Sequence, residues 1–309
     1  MTSTHGTVVV VGSMNMDIVV KASRFPASGE TLFGQEVHFE PGGKGGNQAV
    51  ACAKLGHETF MLGAVGGDAF GGSLMKSLET NGVNAEHMKK TGSAATGIAS
   101  ITLTPEDNTI LVVPGANGTL TAEDVNAWSE VISKGSILLV QLEIPMEAVA
   151  AAVDIAYRQG IPVILNPAPA SEIPADVLGK IRYITPNQTE LHTLTGVDPE
   201  SEGLEKAMDA LLAKGPEAVI ATLGSQGAAW KTRGGTLQRS ASRRVEVVDT
   251  TGAGDAFNGG LACSLSRNRG LEESVRFAIA VSALAVTKFG AQGGMPVLKE
   301  VERLLNEGE

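Results

Sequence analysis

Cysteine is scarce in this sequence, since the 309 residues contain only Cys52 and Cys263. Each lies in an alanine-rich stretch typical of a helix, and the two do not form a C-x-x-C pair. The pattern therefore predicts neither a disulfide framework nor a zinc site. Two free thiols favour a reducing compartment, so we expect a cytoplasmic protein.

Positive charge and long apolar runs are also lacking. Lys and Arg total 24 against 34 Asp and Glu, which gives a net charge of −10 and disfavours binding to nucleic acid or anionic lipid. No apolar stretch approaches the roughly eighteen residues of a membrane span, and the first residues lack the cationic segment of a signal peptide. A small phosphorylated ligand remains compatible with the acidic charge, because backbone N–H groups can bind phosphate locally. We expect no nucleic-acid partner and no membrane partner.

Short runs of aliphatic residues recur along the chain, each followed by a turn and an amphipathic segment. Continuous hydrophobicity is typical of strands buried on both faces, and hence of a parallel sheet covered by helices. The pattern predicts an α/β fold of three αβα layers with a mainly parallel central sheet. Strands are predicted at 7–12, 59–66, 136–143, 161–166, 182–187 and 218–224, and helices at 46–56, 68–82, 121–134, 146–159, 200–214, 253–268 and 271–288.

Residues 17–40 and 94–114 interrupt this rhythm. The second segment reads TGIASITL, a turn at 105–108 and then TILVVPG, which alternates in the manner of a hairpin exposed on one face. Such strands do not fit a parallel core. We expect one domain over 1–309, with a small antiparallel β lid built from both segments at the carboxyl edge of the main sheet.

Polar side chains follow several of the predicted strands. In open α/β sheets ligands bind beyond the carboxyl ends of the strands, so these positions are the first candidates for a site. Each alone is better explained as a turn residue or a helix cap, and their shared position is what favours function. They are Asn15, Asp17, Glu143, Asn166, Asn187, Glu190 and the segment 222–227.

The stretch PGGKGGNQAV, residues 41–50, places Lys44 within a glycine cluster at a helix start. Lys44 is followed by glycine rather than Ser or Thr, which excludes a Walker A loop, and Gln48 stands where a dinucleotide-binding motif has its third glycine. The cluster is either a flexible turn or a close approach of backbone to a polar ligand. We favour the second interpretation, because glycine loses the most backbone entropy on folding.

The stretch DTTGAGDAFNGG, residues 249–260, combines glycines with a carboxylate at a helix start. Gly252 and Gly254 permit angles that turn successive N–H groups into one concavity, and the helix dipole adds about half a positive charge there. This geometry predicts an anion hole with Asp255 beside it. The alternative is an ordinary N-terminal carboxylate that offsets the dipole. In phosphoryl transfer, a carboxylate in this place can orient a hydroxyl and accept its proton late.

Taken together, GSMNMD, GGKGGNQA, TPNQTE and DTTGAGDAFNGG resemble, in this order and over nearly the whole chain, the ribokinase or PfkB-type family of carbohydrate kinases. The resemblance implies an ATP-dependent, magnesium-requiring kinase that phosphorylates the 5-hydroxyl of D-ribose. It also implies that Asp255 accepts the hydroxyl proton and that the N–H groups of Gly252, Ala253 and Gly254 hold the γ-phosphate. Sugar-binding residues would be Asn15, Asp17, Gly43, Lys44, Asn47 and Glu143.

The resemblance further implies nucleotide and cation sites. The nucleotide would be bordered by Asn187, Thr222, Gly224, Ser225, Gly227 and Gly254. Glu190, with Asn187, would position Mg²⁺ through water, while Asp249 and Thr251, with carbonyls near Ala285, Lys288 and Gly290, would hold K⁺. Family members often carry a polar residue where Ile279 lies and a serine where Gly294 lies, so these two positions depart from the pattern.

Other functions remain open at this point. A kinase of the same family could act on deoxyribose, a ketohexose or a nucleoside, although Asn15 and Asp17 favour a polyhydroxylated sugar, and an aromatic content of 4% leaves little to line a base pocket. A dehydrogenase would need G-x-G-x-x-G after the first strand, where GSMNMD stands. A non-catalytic sensor would be expected to lack Asp255 or its glycines. Because an antiparallel lid exposes its edges, we expect a homodimer through the lid.

Overall fold

The computed structural model describes residues 6–307, and its centre is an eight-stranded sheet. Its strands are β1 (Val8–Val11), β4 (Thr59–Leu62), β9 (Ile137–Gln141), β10 (Val163–Asn166), β11 (Tyr183–Ile184), β12 (Ala218–Thr222), β13 (Ala228–Thr232) and β14 (Gln238–Ser240). Their order in the sheet is β14-β13-β12-β11-β10-β9-β1-β4. Strands β4, β1, β9, β10, β11 and β12 are parallel, β13 is antiparallel to β12, and β14 is antiparallel to β13.

Helices cover both faces of this sheet, which explains why β1 is entirely buried. The helices are α1 (Lys44–Lys54), α2 (Ala69–Thr80), α3 (Ala122–Ala127), α4 (Ser129–Ile132), α5 (Met146–Arg158), α6 (Ala175–Leu178), α7 (Gln188–Thr195), α8 (Leu204–Leu212), α9 (Ala253–Ser266), α10 (Leu271–Ala285), α11 (Ala291–Gly294) and α12 (Leu298–Asn306). One layer consists of α1, α9, α10, α11 and α12 packed together. The other layer consists of α3 to α6 as one group, beside α7 and α8. This arrangement confirms the three-layer α/β class predicted from the continuous apolar runs.

A second sheet, here called the small sheet, has the strand order β3-β2-β7-β8. Its strands are β2 (Asn15–Lys21), β3 (Glu36–Gly42), β7 (Gly97–Leu103) and β8 (Asn108–Val113). The expected hairpin from β7 to β8 is present, but β2 runs parallel to β7, so the sheet is mixed rather than antiparallel. The two segments come from distant parts of the chain, so no short turn forces their neighbouring strands into opposite directions. A further short parallel pair joins β5 (Ala64–Gly66) to β6 (Lys89–Thr91).

Several predicted boundaries were wrong for local reasons. The helix expected over 121–134 is divided at Trp128, whose φ of −90° and ψ of 7° interrupt α3 and α4. The strand expected over 59–66 is divided at Gly63, where an added Cβ would lie 2.5 Å from the carbonyl oxygen of Gly12. Strands β13 and β14 were missed, because their mixed sequences become extended only through pairing, of β13 with β12 and of β14 with β13.

The order of the main sheet sets where a ligand can bind. Strand β1 lies between β4 and β9. The next strand of the main sheet along the chain, β4, lies on one side of β1, and the strand after that, β9, lies on the other side. This reversal opens a crevice beyond the carboxyl ends of β1 and β9. Within residues 6–307, no helix is both long enough and apolar enough to cross a bilayer.

Candidate active site

Helix α9 begins in the sequence GAGD, at the carboxyl edge of the main sheet. Gly252 precedes the helix with a φ of +77°, a conformation that favours glycine, and an added Cβ there would lie 2.9 Å from the Cβ of Ala291. The N–H of Ala253 donates to the carbonyl oxygen of Thr250 at 3.2 Å, so one of the three predicted phosphate donors is already bonded. Gly254 is exposed, and an added Cβ would meet nothing within 4 Å. The helix therefore opens at Gly254 into free space.

Asp255 lies in the first turn of α9 and is only 7% exposed. Its two carboxylate oxygens accept hydrogen bonds from neighbouring side chains of α1. Asn47 Nδ2 donates to Oδ2 at 2.9 Å, and Gln48 Nε2 donates to Oδ1 at 2.9 Å. Because each oxygen has its own donor on α1, the carboxylate is held in one orientation beside the open helix end.

Helix α1 begins at the switch point between β1 and β9. Gly43 has a φ of +84°, and an added Cβ would lie 2.6 Å from the N atom of Asn15, so the glycine permits a close approach of two chain segments. Glu143 Oε2 accepts from Ser13 Oγ at 2.5 Å and from the Lys44 N–H at 3.1 Å. Glu143 thus fixes the N-terminus of α1, where a carboxylate is favoured by the helix dipole.

The Lys44 side chain lies among carboxylates. Burial alone lowers the pKa of Lys44, but the surrounding carboxylates, led by those of Asp255 and Glu143, outweigh burial and raise the pKa above its ordinary value. The ammonium group is therefore firmly charged. It offers an anion, or the hydroxyl groups of a polar ligand, a positive group close to Asp255.

Asn15 and Asp17 project from β2 of the small sheet and are buried. Burial, followed by the nearby carboxylates of Glu143 and Asp255, raises the pKa of Asp17 to about 7. Asn15 is held by Asn117, whose Nδ2 donates to Asn15 Oδ1 at 2.8 Å. Because its oxygen is engaged, Asn15 has an amide N–H to offer to a ligand.

A cleft of about 350 Å³ adjoins the open end of α9. Its lining includes Asn187, Thr222, Gly224, Gly227 and Gly254, whereas Ser225 lines an adjoining cavity with Gly224. An isolated parallel β-bridge pairs Asn187 with Thr222, which brings two of these predicted nucleotide-binding positions together. Ile279 lines the same cleft with an apolar surface.

Asn187 and Glu190 form a capping box at the start of α7. Asn187 Oδ1 accepts from the Glu190 N–H at 2.8 Å, and Glu190 Oε2 accepts from the Asn187 N–H at 2.9 Å. Burial raises the pKa of Glu190, while the Asn187 N–H and Lys44 act in the opposite direction. Within the described chain, no cluster of three or more His, Cys, Asp or Glu side chains could hold a metal alone.

Asp249 joins the loop before α9 to the turn after α10. Asp249 Oδ1 accepts from the N–H and hydroxyl of Thr251 at 2.9 and 2.7 Å, and Oδ2 accepts from the Gly290 N–H at 2.9 Å. Ala285 ends α10, and its carbonyl oxygen would lie 2.4 Å from a Cβ added to Gly294. The Lys288 side chain points elsewhere, since its Nζ donates to Glu300 at 3.0 Å.

The motifs, their order and this geometry agree with one family. A sequence profile of pfkB family carbohydrate kinases matches residues 6–298. The chain belongs to this family. The finding confirms the family predicted from the sequence motifs.

Known members are similar over almost their full lengths. The chain is 41% identical over 303 residues to the ribokinase of Lactococcus lactis, which covers 98% of each protein. It is 35% identical over 305 residues to the deoxyribokinase of Salmonella typhimurium, covering 98% of this chain and 99% of that one. The structure of Arabidopsis thaliana ribokinase complexed with ribose and ATP matches with a TM-score of 0.90 at 34% identity, covering 97% of this chain and 99% of that one.

The structure adds polar residues that the sequence left unassigned. Asn117 lies in a triplet that resembles a glycosylation acceptor, yet it is 1% exposed and bonds the backbone of Met14 as well as Asn15. Gln48 follows Asn47 directly, so its nearness to a motif residue was the available signal. The others are Ser13, Gln141, Thr185, Asn258 and Gln292, which are all buried near the carboxyl ends of the strands or the motif helices.

Proposed function

We propose that this chain is an ATP-dependent ribokinase, which converts D-ribose and ATP to D-ribose 5-phosphate and ADP. The observation that carries the proposal is the buried Asp255 carboxylate, held by two amides directly beside the open N-terminus of α9. A proton acceptor and an anion-binding helix end thereby lie next to each other. The ribokinase relatives, which are similar over nearly their whole length, support ribose as the acceptor.

The proposed reaction divides its work between Asp255 and the helix end. The ribose O5 forms a bond to the γ-phosphorus while the bond from that phosphorus to the β,γ-bridging oxygen breaks, and the hydroxyl proton passes to Asp255. The N-terminus of α9 at Gly252 and Gly254 stabilises the charge of the moving phosphoryl group. Most of the acceleration then comes from position and charge, as in other phosphoryl transfers.

The sugar would lie between α1 and the small sheet. Asn15 and Asp17 offer an amide and a carboxylate to its hydroxyl groups, while Gly43, Lys44 and Asn47 face it from α1. Glu143 has one carboxylate oxygen bonded to Ser13 and Lys44, and its other oxygen is available to the sugar. Closure of the small sheet as a lid would exclude water, which would otherwise compete as the nucleophile.

ATP would lie in the cleft beside Gly254, along Asn187, Thr222, Gly224, Ser225 and Gly227. The residues fit Mg²⁺, which commonly binds through one or two carboxylates, waters and substrate phosphates rather than in an all-protein cage. Glu190, held in place by the capping box, would contact its waters. When bound with ATP, Mg²⁺ neutralises charge on the β- and γ-phosphates.

A K⁺ ion would lie near Asp249 and brace the loop that carries Gly252. The oxygen donors fit a hard cation: the Asp249 carboxylate, Thr251 and carbonyls of the turn at Ala285, Lys288 and Gly290. The bond from the Gly290 N–H to Asp249 keeps this turn against the loop. With Gly294 in place of a serine, this position supplies no side-chain oxygen, and a Cβ added there would lie 2.4 Å from the Ala285 carbonyl oxygen, so the cation would depend on the other oxygens.

We place the enzyme in the cytoplasm as a homodimer formed through the small sheet. The edge strand β8 is exposed along its whole length and carries Ile110, Leu111, Val112 and Val113. An exposed apolar edge strand is normally covered, and a second copy of the small sheet offers the same surface. A single monomeric species in sedimentation at high concentration would contradict the dimer.

The test is ADP release from MgATP across a panel of D-ribose, 2-deoxy-D-ribose, a ketohexose and a nucleoside, with and without K⁺. We expect D-ribose to give the highest kcat/KM, because a site that bonds a 2-hydroxyl penalises its absence. The similarity to a deoxyribokinase makes 2-deoxy-D-ribose the second candidate. A higher kcat/KM for the deoxy sugar would reverse the assignment, and ribose binding without ADP release would indicate a sensor.

A further inference from the structure

Gln48 is a buried residue to which the reaction assigns no contact with sugar or nucleotide. It is 0% exposed and stands on α1 directly after the predicted sugar ligand Asn47. Its Nε2 donates both to Asp255 Oδ1 at 2.9 Å and to Asn166 Oδ1 at 3.1 Å. Gln48 therefore contacts the proton acceptor from the side opposite to solvent.

The orientation of this amide is determined by its partners. An ionised carboxylate only accepts hydrogen bonds, so the amide group facing Asp255 must be the NH₂. Gln48 Oε1 then accepts from Gln141 Nε2 at 2.6 Å. Gln141 Oε1 is left buried without a partner, packed against Gly12, where an added Cβ would lie 2.0 Å away.

The same series of hydrogen bonds leads back to Gly254, at the N-terminus of α9. Asn166 Nδ2 donates to the carbonyl oxygen of Thr185 at 3.4 Å, and Thr185 Oγ1 donates to Asn258 Oδ1 at 2.7 Å. Asn258 Nδ2 then donates to the carbonyl oxygen of Gly254 at 2.8 Å. Asp255 and Gly254 are thus tied to the same buried side chains from β9, β10 and the segment after β11.

We propose that Gln48 is a positioning residue for the phosphoryl transfer. It fixes the orientation of the Asp255 carboxylate. Through Asn166, Thr185 and Asn258, it also fixes the position of that carboxylate relative to Gly254 at the N-terminus of α9. The inference rests on the proposed role of Asp255. Asn47 faces the sugar and must adapt to it, whereas Gln48 is shielded from every ligand. The orientation of Asp255 therefore persists as substrates enter and leave.

The first test replaces Gln48 by leucine, which removes the donor at similar volume. Because a displacement of about 1 Å at a reacting group can cost 10²-fold in rate, we expect kcat to fall roughly 10- to 100-fold. The ribose Kd and KM should change less than about threefold, since Gln48 does not face the sugar. Gln141→Leu, one bond further away, should give a smaller loss of the same kind.

Thr59→Val serves as the matched control. Thr59 is 1% exposed, and its hydroxyl donates one hydrogen bond, to the His57 carbonyl oxygen, on the distant edge strand β4. This variant reports what the loss of a buried hydrogen bond alone does to kcat. If Gln48→Leu lowered the melting temperature but left kcat as Thr59→Val leaves it, Gln48 would be structural only and the inference would be overturned.

The second test is Gln48→Glu, whose acid form preserves a donor to Asp255. The neighbouring carboxylate of Asp255 is expected to raise the pKa of the new acid, while Lys44, on the same helix and itself surrounded by the carboxylates of Asp255, Glu143, Glu190 and Asp17, opposes this. We expect the ratio of variant to unmodified kcat to fall at least about tenfold from pH 6 to pH 9, as the donor is lost and two anions face each other. A ratio that is independent of pH would contradict the inference.

Asp255→Asn distinguishes a failure of the proposed role of Asp255 from a failure of the role of Gln48 alone. If Asp255→Asn keeps nearly full activity, the proposed role of Asp255 fails and the role of Gln48 fails with it. If Asp255→Asn is inactive while both Gln48 variants retain the kcat and pH profile of the unmodified enzyme, only the inference about Gln48 fails.

Discussion

The two sides of the crevice are built differently. One side is the Asp255 corner, which we define as Asn47, Gln48, Gln141, Asn166 and Asp255. The other side is the small sheet. Every side chain of the corner is at most 7% exposed and bonded to another member. The small sheet instead exposes the whole of β8, and Asn117 is the residue that ties Asn15 to the main body. On the proposed function, the buried corner is the side that carries the chemistry, and the small sheet is the side that captures the sugar.

The largest expected effects distinguish the two sides of the crevice: a variant of the Asp255 corner should lower kcat, and a variant of the small sheet should raise KM. Asp255→Asn removes the proton acceptor, so we expect kcat to fall by about 10³-fold or more with little change in the ribose KM. Asp17→Asn removes a hydrogen bond from a charged acceptor, so we expect the KM to rise roughly 10- to 100-fold with a smaller effect on kcat. Steady-state kinetics of both variants with D-ribose provide the measurement. Equal losses of kcat in the two variants would remove the distinction between the sides.

A pair of glycine variants tests the rigid side alone. Gly254→Ala adds a methyl group in open space, so the fold should be unaffected while the crowded phosphate position lowers kcat roughly 100-fold. Gly252→Ala puts a side chain at a positive φ and against Ala291, so we expect a loss of about 1–3 kcal/mol in the free energy of unfolding. Thermal unfolding and ADP release should be measured on both. Full activity in Gly254→Ala would exclude a phosphate site there.

A smaller effect concerns Asp17 and pH. Its pKa of about 7 in the empty protein means that protonation competes with sugar binding below neutral pH. Sugar hydroxyls donate to the ionised form, so the ribose Kd should be about tenfold weaker at pH 6 than at pH 8, with proton release on binding. Calorimetry in buffers of different ionisation enthalpy measures both. Asp17→Asn is the control, and a pH dependence that persists in it would assign the effect to another group.

The same group gives a stability prediction with a definite sign. The pKa of Asp17 in the folded protein lies above its ordinary value of 3.8, so the folded state binds the proton more tightly than the unfolded state. Stability from this group is greatest below about pH 4 and falls as the pH rises towards 7. Asp17→Asn should therefore raise the free energy of unfolding by about 2–4 kcal/mol at pH 8 and leave it nearly unchanged at pH 4. Urea unfolding at the two pH values is the measurement.

The smallest expected effect lies on the small sheet. Leu111 is 69% exposed on β8, so Leu111→Lys should disrupt the proposed dimer and raise the ribose KM by about 2- to 5-fold without changing the melting temperature of the main body. Tyr157→Lys, which replaces a residue 57% exposed on α5, is the matched control. Sedimentation should show monomers for Leu111→Lys and dimers for the control. A Leu111→Lys dimer would place the interface elsewhere.

Prediction from sequence succeeded where a local pattern carries the information. The buried runs such as Val8–Val11 predicted the parallel sheet. The motifs at the starts of α1 and α9 identified the family by their resemblance to its known members, and the family profile confirms it. The parallel pairing of β2 with β7 could not be predicted, since those strands meet only in the folded chain. Gln141, Thr185 and Asn258 escaped notice for the same reason: each is an ordinary polar residue until tertiary packing joins it to the hydrogen bonds that lead to Asp255 and Gly254.

Transfer of the γ-phosphate to the 5-hydroxyl of ribose, by Asp255 and the N-terminus of α9, can be tested by the identity of the product. The unmodified enzyme should be incubated with MgATP and D-ribose and the mixture followed by phosphorus NMR. We expect stoichiometric ADP and a phosphate ester on C5, both formed about 10³-fold or more slowly with Asp255→Asn. ADP with inorganic phosphate alone, or an ester on another carbon, would contradict the proposed transfer.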